Sequence, residues 1–182
     1  MSRTQVRTAR VYVILGAALA TIAAVVIPLS VAQGDDNLDK QLSRLKTVTG
    51  AYHNEALALA GGFEAEPVCV SSPDGGMGYH HPHPGRVEDD AISKDQPEML
   101  LYAPGKGEER KLVGVEYWKA DEDQDLSTDD DRPSLFGREF DGPMEGHAPG
   151  MPIHYDLHVW VWKSNPDGTF AQFNPEVHCP EE

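Results

Sequence analysis

The strictest alternation of apolar and polar positions runs from Pro152 to Trp162, read PIHYDLHVWVW. Side chains along a strand point to opposite faces in turn. Ile153, Tyr155, Leu157, Val159 and Val161 therefore share one apolar face, and His154, Asp156, His158, Trp160 and Trp162 share the other. This predicts a strand over 152–163, entered from a Gly-, Pro- and Met-rich loop that carries His147. A second pattern is helical. Leu38, Leu42, Leu45, Val48, Tyr52 and Ala56 recur at three- and four-residue steps, with Lys40, Arg44 and Lys46 mostly off that stripe. The spacing predicts one helix from Leu38 to Ala60 after a polar linker at Gly34–Asn37, weakened at Gly50 and stopped by Gly61-Gly62. Its stripe is too apolar to face water and calls for a sheet to lie on.

Elsewhere the pattern is shorter. Phe63–Val70 reads as an extended segment and Ser71–Pro84 as a loop. Glu98–Tyr102 and Lys111–Lys119 read as a hairpin turning at Gly105-Lys106-Gly107. Residues 120–133 form an acidic, mobile insertion, and Ser134–Gly142 is irregular. Asn165-Pro166-Asp167-Gly168 has the chemistry of a turn, leading to a last strand at Thr169–Phe173. There is no internal repeat. These elements define an α+β fold: one long N-terminal amphipathic helix packed on a mostly antiparallel, loop-rich sheet with one disulfide.

The first 32 residues read as an address. Arg3, Arg7 and Arg10 precede an apolar run from Val11 to Leu29, and Ser30-Val31-Ala32 fits the small-x-small cleavage rule. The run approaches the roughly 20 residues that span a bilayer, so an uncleaved N-terminal anchor is the alternative to a signal peptide. Both place residues 33–182, a single domain, in a secreted or extracytoplasmic setting. Contact with a membrane follows only from an uncleaved anchor. The whole chain carries a net charge of −15, and the leader contributes only arginines, so the remainder is more acidic still. That argues against nucleic acid as a partner, and the sequence names no protein partner. Cys69 and Cys179, the two cysteines of an exported chain, are expected to pair, closing a loop worth at most ~4–5 kcal/mol.

Six of the eight histidines fall in two short windows. One is Met77-Gly78-Tyr79-His80-His81-Pro82-His83. The other runs from Met144 through His147 and Met151 to His154, Asp156 and His158. Imidazoles spaced along one strand face can converge on a metal, and a carboxylate between them can ligate or orient them. Histidine with methionine in an oxidising compartment points to copper, then zinc. For His81 and His83 the plainer reading is a solvated loop residue, for Met144 and Met151 a packing role, and for His53 a solvated helix position. Glu116 stands in LVGVEYW and shares a face with Leu112, Gly114 and Trp118 by period two. A carboxylate there must be paired, protonated or ligating, unless its strand is an edge open to water. Gly114 leaves room for another group to approach. Asp121, Asp123 and Asp125 resemble the start of a calcium loop, but Leu126 and Arg132 stand where a Gly and a Glu are required. Gly-rich phosphate loops, His-Glu-x-x-His and Gly-x-Ser-x-Gly are missing from the sequence.

The stretches PVCVSSPDGGMGYH (67–80), LLYAP with LVGVEY (100–104 and 112–117) and LFGREFDGPMEGHAPGMPIHYDLHVWVWKSNPDGTFAQFNPEVHCP (135–180) resemble a family of uncharacterised exported bacterial proteins. The resemblance covers most of the chain beyond the leader and includes His80, Glu116, His147, His154, Asp156 and His158. It breaks at His81 and His83, where an aromatic and an Asn-like residue would be expected. The resemblance brings no activity with it. Three classes of function follow from the residues. The first is an exported protein binding copper or zinc through His80, His154 and His158, with Glu116 or His147 as a fourth or supporting group. The second is a structural or interaction domain without metal, and the third a metal-dependent hydrolase or oxidoreductase.

Overall fold

The computed structural model describes residues 29–180. The leader assigned to residues 1–32 lies almost wholly outside them, and no helix among the described residues is long and apolar enough to cross a membrane. Helix α1 (Leu29–Thr49) passes straight through the polar stretch at Gly34–Asn37. The single helix expected over 38–60 does not form. A 3-10 turn (Gly50–His53) and a short α2 (Glu55–Ala60) follow α1 instead. The break has a specific cause. In a continuous helix the Ala56 N–H would donate to the Tyr52 carbonyl. Here the buried Tyr102 hydroxyl donates to that carbonyl at 2.6 Å, and the Asn54 side chain accepts from Ala56 N at 3.1 Å, capping α2. Each backbone group has found another partner, so the axis can turn.

Six strands form one antiparallel sheet in the order β1-β2-β3-β4-β8-β7. They are β1 (Cys69–Ser72), β2 (Gly75–Pro82), β3 (Met99–Pro104), β4 (Arg110–Ala120), β7 (Asp141–Met144) and β8 (His154–Val159). A two-residue hairpin, β5 (Ser134–Leu135) and β6 (Arg138–Glu139), occupies the connection between β4 and β7, and a short α3 (Pro84–Asp89) follows β2. The curled sheet buries one face against α1. Leu45, Leu100, Tyr102, Val115, Tyr117, Tyr155, Leu157 and Val159 form that core, with Leu38, Leu42, Val48 and Tyr52 packed on it. The helical stripe therefore faces the sheet as its spacing predicted, apart from Ala56, which is exposed.

Several local expectations are corrected. Ser71–Pro84 is no loop, because β2 pairs on both edges, with β1 and β3. Its glycines are required by close packing: a side chain at Gly78 (φ 92°) would collide with the Tyr102 carbonyl. Ser134–Gly142 contains the β5–β6 hairpin and the start of β7 rather than irregular chain. The turn at Asn165–Gly168 is present, closed by Gly168 N donating to Asn165 O at 3.1 Å. No strand forms at Thr169–Phe173. Trp160 pins that segment through its backbone N–H to Thr169 O and its indole N–H to Ala171 O. The acidic stretch 120–133 is tied to the entry of β8, with the Gln124 side chain bonded to both Ile153 N and Ile153 O at 2.9 Å.

Cys69 and Cys179 are bonded, closing a sequence separation of 110 residues and fastening the chain end to edge strand β1. Replacing both with Ser should lower stability by at most about 4–5 kcal/mol, read from the shift in a denaturation midpoint. Leu45 is fully buried at the helix–sheet contact. Leu45→Ala should cost ~2–5 kcal/mol in the same measurement, and an unchanged midpoint would show that α1 does not support the core.

Candidate metal centre

The other sheet face carries the chemistry. In the ladder, Glu116 pairs with His158, Trp118 with Asp156 and Ala120 with His154. Directly paired side chains on one face stand about 5 Å apart, so Glu116 and His158 are neighbours by register alone. β4 is an interior strand, which excludes the water-open edge for Glu116. β2 brings His80 from two strands away, paired with Leu101, which is itself paired with Gly114. A Cβ on Gly114 would lie 2.7 Å from the Val159 carbonyl oxygen, so the approaching group is the β8 backbone. A bulge sits here as well: Leu101 pairs with Gly114 but Tyr102 with Leu112, leaving Val113 extra. The bulge turns Leu112 into the helix-side core, away from the Glu116 face where strict alternation had placed it. Trp162 likewise leaves the histidine face. The chain bends after β8, Trp162 N and Lys163 N both donate to Val113 O, and the Trp162 indole donates to Thr49 Oγ1.

His80 Nε2 lies 3.2 Å from Glu116 Oε2, and His158 Nε2 lies 3.8 Å from the same oxygen. These three residues offer ligand atoms all within 4.8 Å of one another and could hold a metal ion. Glu116 and His158 are buried and His80 is half-buried. Glu116 Oε2 and His158 Nε2 make no hydrogen bond, so the contacts are electrostatic and poorly directed. Asp156 lies behind, its Oδ1 3.5 Å from His158 Nδ1 in a charge contact without a hydrogen bond. A carboxylate behind one ring nitrogen with the other nitrogen turned to a shared point is the usual support of a metal-binding histidine. Burial alone would push the Glu116 carboxyl up, but His158 and then His80 outweigh it and hold it below its ordinary range. Burial would lower the His158 imidazole, but Glu116 and Asp156 raise it above its ordinary value. Glu116 is thus held as an anion, and any metal bound here would have to displace the proton from His158.

His80 and Glu116 open onto a cleft of about 380 Å³ whose other wall is the loop from His147 to Pro152. Val70, Val87, Met99 and Trp118 give it an apolar lining. His154 stands apart from the three-residue group, wholly buried and stacked on Trp118 at 5.6 Å. His147, exposed in the loop, faces His154 with ring centres 5.2 Å apart. Asp156 occupies the position between His154 and His158. The six residues read from the sequence therefore share one sheet face and its adjoining loop. They divide into the group at His80, Glu116 and His158, its supporting Asp156, and the pair His147 and His154.

In comparisons with family models, curated proteins and solved structures, no match was found.

Two further buried polar groups lie on the helix side. His81, expected as a solvated loop residue, is fully buried: its Nε2 is 2.8 Å from Glu55 Oε1 and its ring lies against Tyr102. β2 formation turned it inward. His83 is half-buried and meets Phe63 edge-on, while His53 is exposed as expected, against Trp162. Glu98 is 1% exposed and accepts from Trp118 N at 3.2 Å. Period two from Leu100 and Tyr102 places it on the core face, the one signal of its burial in the sequence. Burial pushes its carboxyl up to about 8, against smaller lowering by backbone N–H groups. The folded protein then holds a proton that the unfolded chain releases near pH 4.5. Stability should be fully present below that pH and fall as pH rises towards about 8, by at most about 1.4 kcal/mol per unit. Denaturation midpoints across that window should show a slope in wild type that Glu98→Gln flattens, and equal slopes would assign it to other groups.

Proposed function

We propose that this is an exported protein that binds a transition metal ion, zinc or copper, at His80, Glu116 and His158 as a metal-binding or metal-handling protein. The observation that carries the reading is the buried Glu116 oxygen facing two imidazole nitrogens without hydrogen-bonding either. Two imidazoles and a carboxylate suit zinc and copper better than magnesium or calcium. The disulfide fits an oxidising compartment, and with the leader motif it supports export, in keeping with the exported bacterial family the motifs resemble.

A second reading is enzymatic. Three protein ligands leave a coordination position open, and His80 and Glu116 line a cleft large enough for a small molecule. A metal there could polarise a substrate or activate water for hydrolysis, or serve an oxidation.

Elemental analysis of the purified protein and titration with Zn²⁺ and Cu²⁺ test the shared premise. Glu116→Gln, which keeps the shape, should weaken binding by more than ~100-fold. Asp156→Asn, behind His158, should weaken it by ~10–100-fold. His81→Ala should leave affinity unchanged, because His81 faces the helix side. Equal affinity in wild type and Glu116→Gln would remove the metal centre.

A further inference from the structure

At the far end of the β8 row, His154 is held as a ligand is held. Its Nδ1 lies 3.1 Å from the Pro152 carbonyl oxygen. A carbonyl can only accept, so Nδ1 carries the ring proton and donates. The neutral ring then presents Nε2 as a free lone pair. That atom is buried and has no hydrogen-bond partner among the described residues. Hydrogen-bonding one ring nitrogen to a backbone carbonyl fixes the tautomer and aims the other nitrogen at a metal. Trp118, stacked on the ring, holds its orientation.

What faces His154 is metal-capable. The His147 ring centre is 5.2 Å away, with planes at 61°. Two imidazoles bound tetrahedrally to one ion, each nitrogen about 2.0 Å from it, have ring centres about 5 Å apart. The loop carrying His147 is closed by Met151 N donating to Ala148 O at 3.0 Å. Gly146 lies so close to the Met151 backbone that no side chain fits there. Met151 lines the cleft beside His147. Met144 is the cross-strand partner of His154 in the β7–β8 pairing, so its side chain shares that face. Both methionines are half-buried. Thioethers joined to imidazoles favour monovalent copper, whereas the carboxylate of the first centre does not.

We propose that His147 and His154, with the thioethers of Met144 and Met151, form a second metal site that takes a cuprous ion. It shares no residue with the group at His80, Glu116 and His158, from which Asp156 separates it along β8. His147 and Met151 line the same cleft as His80 and Glu116, yet each site can be removed by substitutions that leave the ligands of the other in place. Because His147 is exposed and His154 buried, the ion enters from the loop side.

Anaerobic titration of the full chain with Cu(I), against a chromophoric cuprous chelator, tests the site. The double variant His80→Ala, Glu116→Gln should retain one tightly held equivalent. His147→Ala, and separately Met144→Leu with Met151→Leu, should each lower that affinity at least 10-fold. These variants leave the buried His154 in place, and near-UV circular dichroism reports whether the fold survives. X-ray absorption of the loaded protein should show sulfur scattering that the two Met→Leu changes remove. Unchanged Cu(I) affinity in folded His147→Ala and in the folded double-Leu variant would overturn the site. So would loss of the equivalent in the His80→Ala, Glu116→Gln variant, since the ion would then belong to the first centre.

Discussion

Glu116 places a carboxylate in the interior of a six-stranded sheet, with strands on both sides of it and 4% of its surface exposed. Taking such a charge out of water costs several kcal/mol even after relaxation, and only close opposite charges or a metal can offset it. The face around it is arranged accordingly. β8 delivers His158 by direct pairing, β2 delivers His80 across β3, and Asp156 braces His158 from the same strand. A buried carboxylate facing two imidazoles makes a group that could hold a metal ion. These mutual contacts let a row of buried polar side chains stand on a sheet whose other face is a mainly apolar core.

The backbone makes that arrangement possible through two departures from a regular sheet. The bulge at Val113 reverses the alternation of β4, so that Leu112 and Val115 both serve the helix-side core while Glu116 faces the cleft. Gly114 lets the Val159 carbonyl come closer than any side chain would permit. On the helix side, Tyr102 has a comparable organising role. Its hydroxyl captures the Tyr52 carbonyl, its ring supports His81, and it packs within the main cluster. The break between α1 and α2 is thus a product of the sheet, imposed on a segment whose own spacing favours one helix.

The disulfide and the loop over the cleft connect these parts. Cys179 fastens the chain end to β1, which flanks the strand that carries His80. The loop from Gly146 to Met151 folds over the other side of the cleft and brings His147 to His154. One sheet face therefore holds two constellations of different chemical softness: imidazole with carboxylate at one end, and imidazole near thioether at the other.

The sequence by itself determined the α1 stripe, the β3–β4 hairpin, the two faces of β8, the turn at Asn165–Gly168 and the pairing of the cysteines. Each rests on local periodicity, local turn chemistry or simple counting. It also singled out His80, Glu116 and His158, because histidines clustered in short windows and a glutamate inside an apolar strand are conspicuous without coordinates. Their grouping was decided by tertiary structure. Glu116 joined His80 and His158 because strand register sets it opposite His158, and register between distant strands is not written in the spacing of either one. β2 was illegible for a related reason: its glycines carry no β-forming side chains, and they are there to admit the backbone of β3 and the chain end near Asn174. The burial of His81, the extra residue at Val113 and the break after Thr49 likewise depend on contacts between segments far apart in the chain.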